Sequence, residues 1–164
     1  MTESSIVSLG SILPQIFIPH RDQPRLRQIA DPLAKRGAWT GRFLLAELDR
    51  SIGCDDDELP KDTVVIGSRV TYRIDDEEQR KGLLVYPEDW IAGCGCISVL
   101  SPEGAALIGL RVGNAMQFRG PLGRDRTIRV MEVEPPHASN VVPFRRRERV
   151  LPGFNPRPEP DGAA

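Results

Sequence analysis

Apolar residues keep two different rhythms along this chain. From Asp22 to Lys35 the period is helical, with Leu26, Ile29 and Leu33 on one face. Asp22 is the N-cap candidate, and Pro24 falls in the first turn, where a missing N–H is no loss. Pro32 deletes one i→i−4 bond, so a kink or early fraying is expected there. Lys35-Arg36-Gly37-Ala38-Trp39 breaks the pattern, with Gly37 as the C-cap candidate. A second helix opens at Ala38 or Thr40 and carries Phe43, Leu44, Leu48 and Ile52 as its apolar stripe. Helices joined by so few residues should run antiparallel. At about 14 residues each they reach only about 20 Å.

The second rhythm is the alternation of strands. Gln15-Ile16-Phe17-Ile18 reads as a short strand ended by Pro19. Thr63–Ile74 and Gly82–Tyr86 read as two strands around an Asp75-Asp76-Glu77-Glu78 turn, followed by a loop from Glu88 to Gly95. Ile97-Ser98-Val99-Leu100 is a short β-branched run. Ser101 then offers a capping oxygen, Pro102 takes the first helical position, and Ala105-Ala106-Leu107-Ile108 continues a helix of about two turns. Gly109 can end it in the left-handed conformation. After the turn Val112-Gly113-Asn114, Ala115–Phe118 and Thr127–Val133 form a hairpin around Gly120-Pro121-Leu122-Gly123. An antiparallel sheet with one short helix across it is an α+β domain. The chain thus divides into an N-terminal extension (1–21), a short helical hairpin (22–54), the α+β domain (60–135) and a flexible Pro/Arg-rich tail (136–164).

Composition adds little to that division. A net charge of −1 over 164 residues argues against a generally basic nucleic-acid coat. No stretch is apolar for long enough to span a bilayer, and no basic leader precedes an apolar core, so a cytoplasmic protein without membrane contact is expected. Three cysteines make no disulfide framework. Cys94-Gly95-Cys96 has only Cys54, His20 and His137 as further ligands, so buried or idle thiols are expected, with a zinc or redox module as the alternative. Asp55-Asp56-Asp57-Glu58 lacks the spacing of a calcium loop and reads as a solvated acidic linker. Arg145, Arg146, Arg147 and Arg149 form the only basic cluster, a candidate contact for nucleic acid or an acidic partner.

SPEGAALIGLRVGN, from Ser101 to Asn114, resembles the signature of the C-terminal domain of the bacterial GreA/GreB transcript-cleavage factors. The resemblance is stronger still to their short relatives, the Rnk-type regulators of nucleoside diphosphate kinase. Leu59-Pro60-Lys61-Asp62-Thr63-Val64-Val65-Ile66-Gly67-Ser68 and Leu84-Val85-Tyr86-Pro87-Glu88-Asp89 are also Rnk-like, in family order, within a region running from Ile16 to Pro135.

This resemblance implies an FKBP-like fold for the sheet domain, preceded by a shortened coiled-coil hairpin. It implies a regulator of transcription elongation that docks on RNA polymerase at the rim of the secondary channel. The docking loop falls on Ser98, Leu100, Ser101 and Pro102, although helix capping by itself also explains Ser101-Pro102. Cleavage factors carry carboxylates at the hairpin tip to help hold a metal ion. The tip here is Lys35, Arg36 and Trp39, with no carboxylate between Asp31 and Glu47. The expectation is a monomeric, non-catalytic regulator that needs no cofactor and competes with Gre factors. Trp39 is expected to close the top of the hairpin core. A peptidyl-prolyl isomerase is the alternative that the fold brings with it. Its aromatic pocket would have to come from Tyr72, Tyr86, Trp90 and Phe118.

Overall fold

A computed structural model of the chain describes residues 13–136. Strand β1 (Phe17–Pro19) leads into helices α1 (Gln23–Lys35) and α2 (Trp39–Arg50), and the chain returns as β2 (Ile52–Cys54). β1 and β2 pair in parallel, Phe17 opposite Ile52 and Pro19 opposite Cys54, so the helical excursion leaves at the Pro19 end of a short strand pair and re-enters at its Ile52 end. Ile52 therefore belongs to a strand and is 38% exposed, rather than continuing the apolar stripe of α2. Ser51 ends the helix in an extended conformation, its hydroxyl donating to the Leu48 carbonyl at 2.8 Å.

Helix α1 continues through Pro32 to Lys35 instead of fraying. Only one backbone bond is lost at that position, while Leu26 and Ala30 are buried and the helix end is firmly closed. The Gly37 N–H donates to the Ala34 carbonyl at 2.9 Å and the Ala38 N–H to the Leu33 carbonyl at 3.0 Å, with Gly37 at φ +80°. That pair of bonds is a Schellman closure, and it needs the left-handed residue that glycine supplies. α2 then folds back along α1. Gly41 lies so close that an added Cβ would sit 2.5 Å from the Ala34 nitrogen. Arg27 Nη1 meets Asp49 Oδ1 at 2.7 Å farther along. Glu47, only 5% exposed, is paired with Arg50, whose Nη1 donates to the Pro14 carbonyl at 2.6 Å and ties the entering chain to α2.

The second half is a five-stranded sheet in the order β5-β4-β3-β7-β6. Its strands are β3 (Arg69–Ile74), β4 (Arg80–Val85), β5 (Cys96–Ser98), β6 (Ala115–Arg119) and β7 (Asp125–Glu134), with helix α3 (Pro102–Leu107) between β5 and β6. The expected antiparallel sheet is therefore mixed. β4 and β5 are parallel, because the segment 86–95 carries the chain back to the start of β4 before β5 begins beside Leu83. The strand expected from Thr63 starts only at Arg69. Gly67 turns the chain at φ +89°, and the irregular Val64 and Val65 are buried with their N–H groups donating to Leu110 O and Ser68 Oγ.

α3 carries the chain from one edge of the sheet to the other. Ala105, Ala106 and Leu107 are buried against Tyr72, Ile74, Met116, Phe118, Ile128 and Val130. The same core takes in Ile16, Ile18, Leu26, Leu44 and Leu48 from the N-terminal half. Among the described residues no helix is long and apolar enough to cross a membrane.

Candidate functional site

The residues singled out for docking form one compact turn between β5 and α3. Ser98 ends β5, and its Oγ accepts from the Leu100 N–H at 3.2 Å. Its carbonyl accepts twice, from the Ser101 N–H at 2.9 Å and the Ser101 hydroxyl at 2.7 Å. Ser101 Oγ in turn accepts from the Gly104 N–H at 3.0 Å, a side-chain N-cap on α3, with Pro102 at the first helical position. Val99 is fully buried beneath the turn, while Ser98, Leu100, Ser101 and Pro102 are half-exposed. The arrangement depends on Gly104, since an added Cβ would stand 2.0 Å from the Ser98 carbonyl oxygen. At the far end of α3, Gly109 takes φ +81°, the left-handed end expected of it.

Beside this turn runs a shallow groove of about 350 Å³ lined by Tyr72, Trp90, Cys96, Ile97, Ser98, Ser101 and Glu103. Trp90 is 51% exposed, and its Nε1–H donates to the Cys96 carbonyl at 3.2 Å. Of the four aromatics an isomerase pocket would need, only Tyr72 and Trp90 meet here. Phe118 is core, and Tyr86 is engaged elsewhere.

Tyr86 belongs to a cluster that sequence reasoning missed. Its hydroxyl donates to Asp22 Oδ1 at 3.0 Å, the Arg25 guanidinium lies 3.8 Å from its ring centre, and Arg25 forms an ion pair with Glu88. Asp22 sits at the N-cap position of α1 but makes no side-chain cap, because its oxygen serves Tyr86 instead. Burial raises the Asp22 carboxyl above its ordinary range, partly offset by the Tyr86 hydrogen bond, and raises the Tyr86 hydroxyl as well. The cluster fastens α1 to the segment that follows β4.

The hairpin tip is cationic and aromatic. Lys35 Nζ pairs with Asp31 at 2.6 Å, which engages the carboxylate nearest the tip on α1. Arg36 is the C-cap residue. Trp39 stacks on Phe43 with ring centres 4.7 Å apart and packs against the edge of the core. Asp56 of the acidic linker is paired with Arg21, and no cluster of metal-ligating side chains occurs among the described residues.

The expectation of buried or idle thiols fails at Cys94 and Cys96, which are joined by a disulfide in a mostly exposed loop. Two glycines, Gly93 and Gly95, give that loop the left-handed turns that bring the sulfurs together. Cys54 is free and buried in β2. Arg145, Arg146, Arg147 and Arg149 lie outside the described residues, as do His137 and the remainder of the tail.

A two-helix excursion clasped at its base, followed by a five-stranded sheet with a short capped helix, is an architecture with known relatives. It is similar to that of a GreA/GreB transcription elongation factor from Nitrosomonas europaea, with a TM-score of 0.59 and 32% sequence identity over 73% of this chain and 98% of that one. Residues 59–135 match the family described as "Transcription elongation factor, GreA/GreB, C-term". The regulator of nucleoside diphosphate kinase from Escherichia coli (strain K12) is 38% identical over 122 residues, 74% of this chain and 90% of that protein. Transcription elongation factor GreA from Thermodesulfovibrio yellowstonii is 35% identical over 79 residues, 48% of this chain and 50% of that protein. The chain belongs to the GreA/GreB family.

Proposed function

We propose that this protein is a non-catalytic transcription regulator that binds RNA polymerase through the Ser98–Pro102 turn, near the secondary channel. There it competes with Gre factors and does not stimulate transcript cleavage. Among its relatives is a protein named as a regulator as well as proteins named as elongation factors. The observation that carries the reading is the contrast between a rigid, half-exposed turn and an unsuitable tip. The turn is held by three hydrogen bonds involving the side chains of Ser98 and Ser101, so it meets a partner already ordered. At the tip, by contrast, Lys35 and Arg36 repel a cation, and the nearby Asp31 carboxylate is held by Lys35. The helices have 13 and 12 residues, an arm of roughly 20 Å by helix rise. We read them as a shortened counterpart of a coiled-coil hairpin, and the 60–135 region as the docking domain.

The test is a backtracked elongation complex with labelled RNA. The protein alone should leave the transcript intact, and in excess it should suppress cleavage by a Gre factor, with added Gre factor restoring it. Shortened RNA with this protein alone would refute the absence of cleavage activity. Undiminished cleavage by the Gre factor at saturating concentrations would remove the shared docking site.

A further inference from the structure

The cysteine pair is a sequence motif that docking leaves unused, and it adjoins the docking turn. Cys96 is the first residue of the three-residue strand β5, whose last residue, Ser98, builds the turn. Cys96 also lines the groove with Ser98 and Ser101. We propose that Cys94 and Cys96 form a dithiol–disulfide switch that sets the affinity of the Ser98–Pro102 turn for its partner. This regulation rests on the polymerase-docking reading above.

Three observations support the switch. First, the bridge encloses a single residue, Gly95. Stabilisation through chain entropy grows with loop length, so a ring this small is a poor staple for the whole fold and acts locally. Second, Cys94 is exposed and Cys96 half-buried, so a small thiol can reach the outer sulfur. Third, a protein that works on RNA polymerase works in the reducing cell interior, where disulfides are transient and regulatory.

The exchange balances with a monothiol such as glutathione as reductant. Its thiolate attacks Cys94 Sγ, the sulfur–sulfur bond breaks, and Cys96 leaves as a thiolate that takes up a proton. A second glutathione thiolate attacks the mixed disulfide, releasing oxidised glutathione and the Cys94 thiol. Two electrons and two protons pass to the protein in all.

When the bridge opens, the covalent tie across Gly95 is lost in a loop that already contains two flexible glycines, Gly93 and Gly95. Both sit at positive φ with open space around them. The loop at the start of β5 is then held by hydrogen bonds alone, Leu83 N–H to the Gly95 carbonyl at 2.9 Å, Trp90 Nε1–H to the Cys96 carbonyl at 3.2 Å and Cys94 N–H to the Ile91 carbonyl at 3.4 Å. The bridged form therefore meets a partner with the edge of the groove already ordered, while the open form must order it on binding.

The full chain equilibrated in glutathione buffers, then denatured, alkylated and weighed, should show three free thiols when reduced and one, Cys54, when oxidised. In a Trp39→Phe background, Trp90 emission should follow the same titration. Affinity for core RNA polymerase should fall about 5-fold or more on reduction. The Cys94→Ser/Cys96→Ser protein should bind like the reduced form in both buffers. Thiols that never pair in oxidising buffer, or Trp90 emission indifferent to pairing, would overturn the switch. Equal affinity of the two forms would overturn the coupling and leave docking intact. Binding by neither form would overturn docking and coupling together.

Discussion

The turn at the tip of the two helices and the turn below α3 reverse the chain equally sharply but are built in opposite ways. At the tip, backbone bonds from Gly37 and Ala38 close the turn. Lys35, Arg36 and Trp39 decorate it without making it. Between β5 and α3, the hydroxyls of Ser98 and Ser101 add three bonds to the backbone bond from the Ser101 N–H to the Ser98 carbonyl. A surface made by backbone can change its charge and keep its shape. A surface made by side chains cannot change its chemistry without changing its geometry. In this molecule the first kind of surface sits on the arm and the second on the sheet domain.

The sharpest way to break that contrast is Gly104→Ala. On an ordinary helix the change would add about 1 kcal/mol of stability. Here the new Cβ would stand 2.0 Å from the Ser98 carbonyl oxygen and drive the turn off α3. A loss of about 3 kcal/mol in denaturant unfolding is expected, and an unchanged midpoint would show that the turn yields easily. Next in size is Ser101→Ala with Pro102→Ala. Loss of the cap costs about 1 kcal/mol, whereas polymerase affinity should fall by more than about tenfold, beyond the stability effect. A folded double variant that binds normally would place docking elsewhere.

Gly37→Ala is the matching change at the tip. It meets open space but must hold φ +80°, so about 1 kcal/mol is lost, while polymerase binding by the folded protein should stay the same. Lys35→Asp with Arg36→Glu should be smaller, about 0.5 kcal/mol, through lost pairing with Asp31 and like-charge repulsion. It should not confer cleavage, because reversing charge does not lengthen the arm. Shortened RNA with that variant would show that charge alone silences the tip.

The smallest expected effect is electrostatic. Burial raises the Asp22 carboxyl, so above its ordinary value the native state still holds a proton that the unfolded chain has released. Its contribution to stability therefore declines as pH rises through that window and is greatest below it. Asp22→Asn keeps an acceptor for Tyr86 and should flatten this part of the stability–pH curve. An unaltered slope would assign it to another group.

Local punctuation was the legible part of the sequence. Gly37, Ser101-Pro102, Gly109 and Gly113 each mark a boundary through their own backbone preferences, and each lies at one. What could not be read was set by distant partners. The parallel pairing of β1 with β2 joins residues that two helices separate in sequence. Asp22 reads as a cap because nothing local reveals Tyr86, which is 64 positions away. Gly41 and Gly104 went unmarked, because sequence does not show whose backbone presses against them. In the turn between β5 and α3, the Ser101 cap and Pro102 were legible, and the bonds that Ser98 makes were not. The cysteine pair was visible as a motif, but its closure depends on two left-handed glycines whose conformations no periodicity reports.

The clasp of β1 against β2 has a consequence for how such an arm can change over evolutionary time. The chain departs from one end of a short strand pair and returns at the other, so turns gained or lost in matched pairs between Gln23 and Arg50 leave both anchor points where they are. Reach is thus decoupled from attachment. One body can carry arms of different length without being rebuilt where they join it.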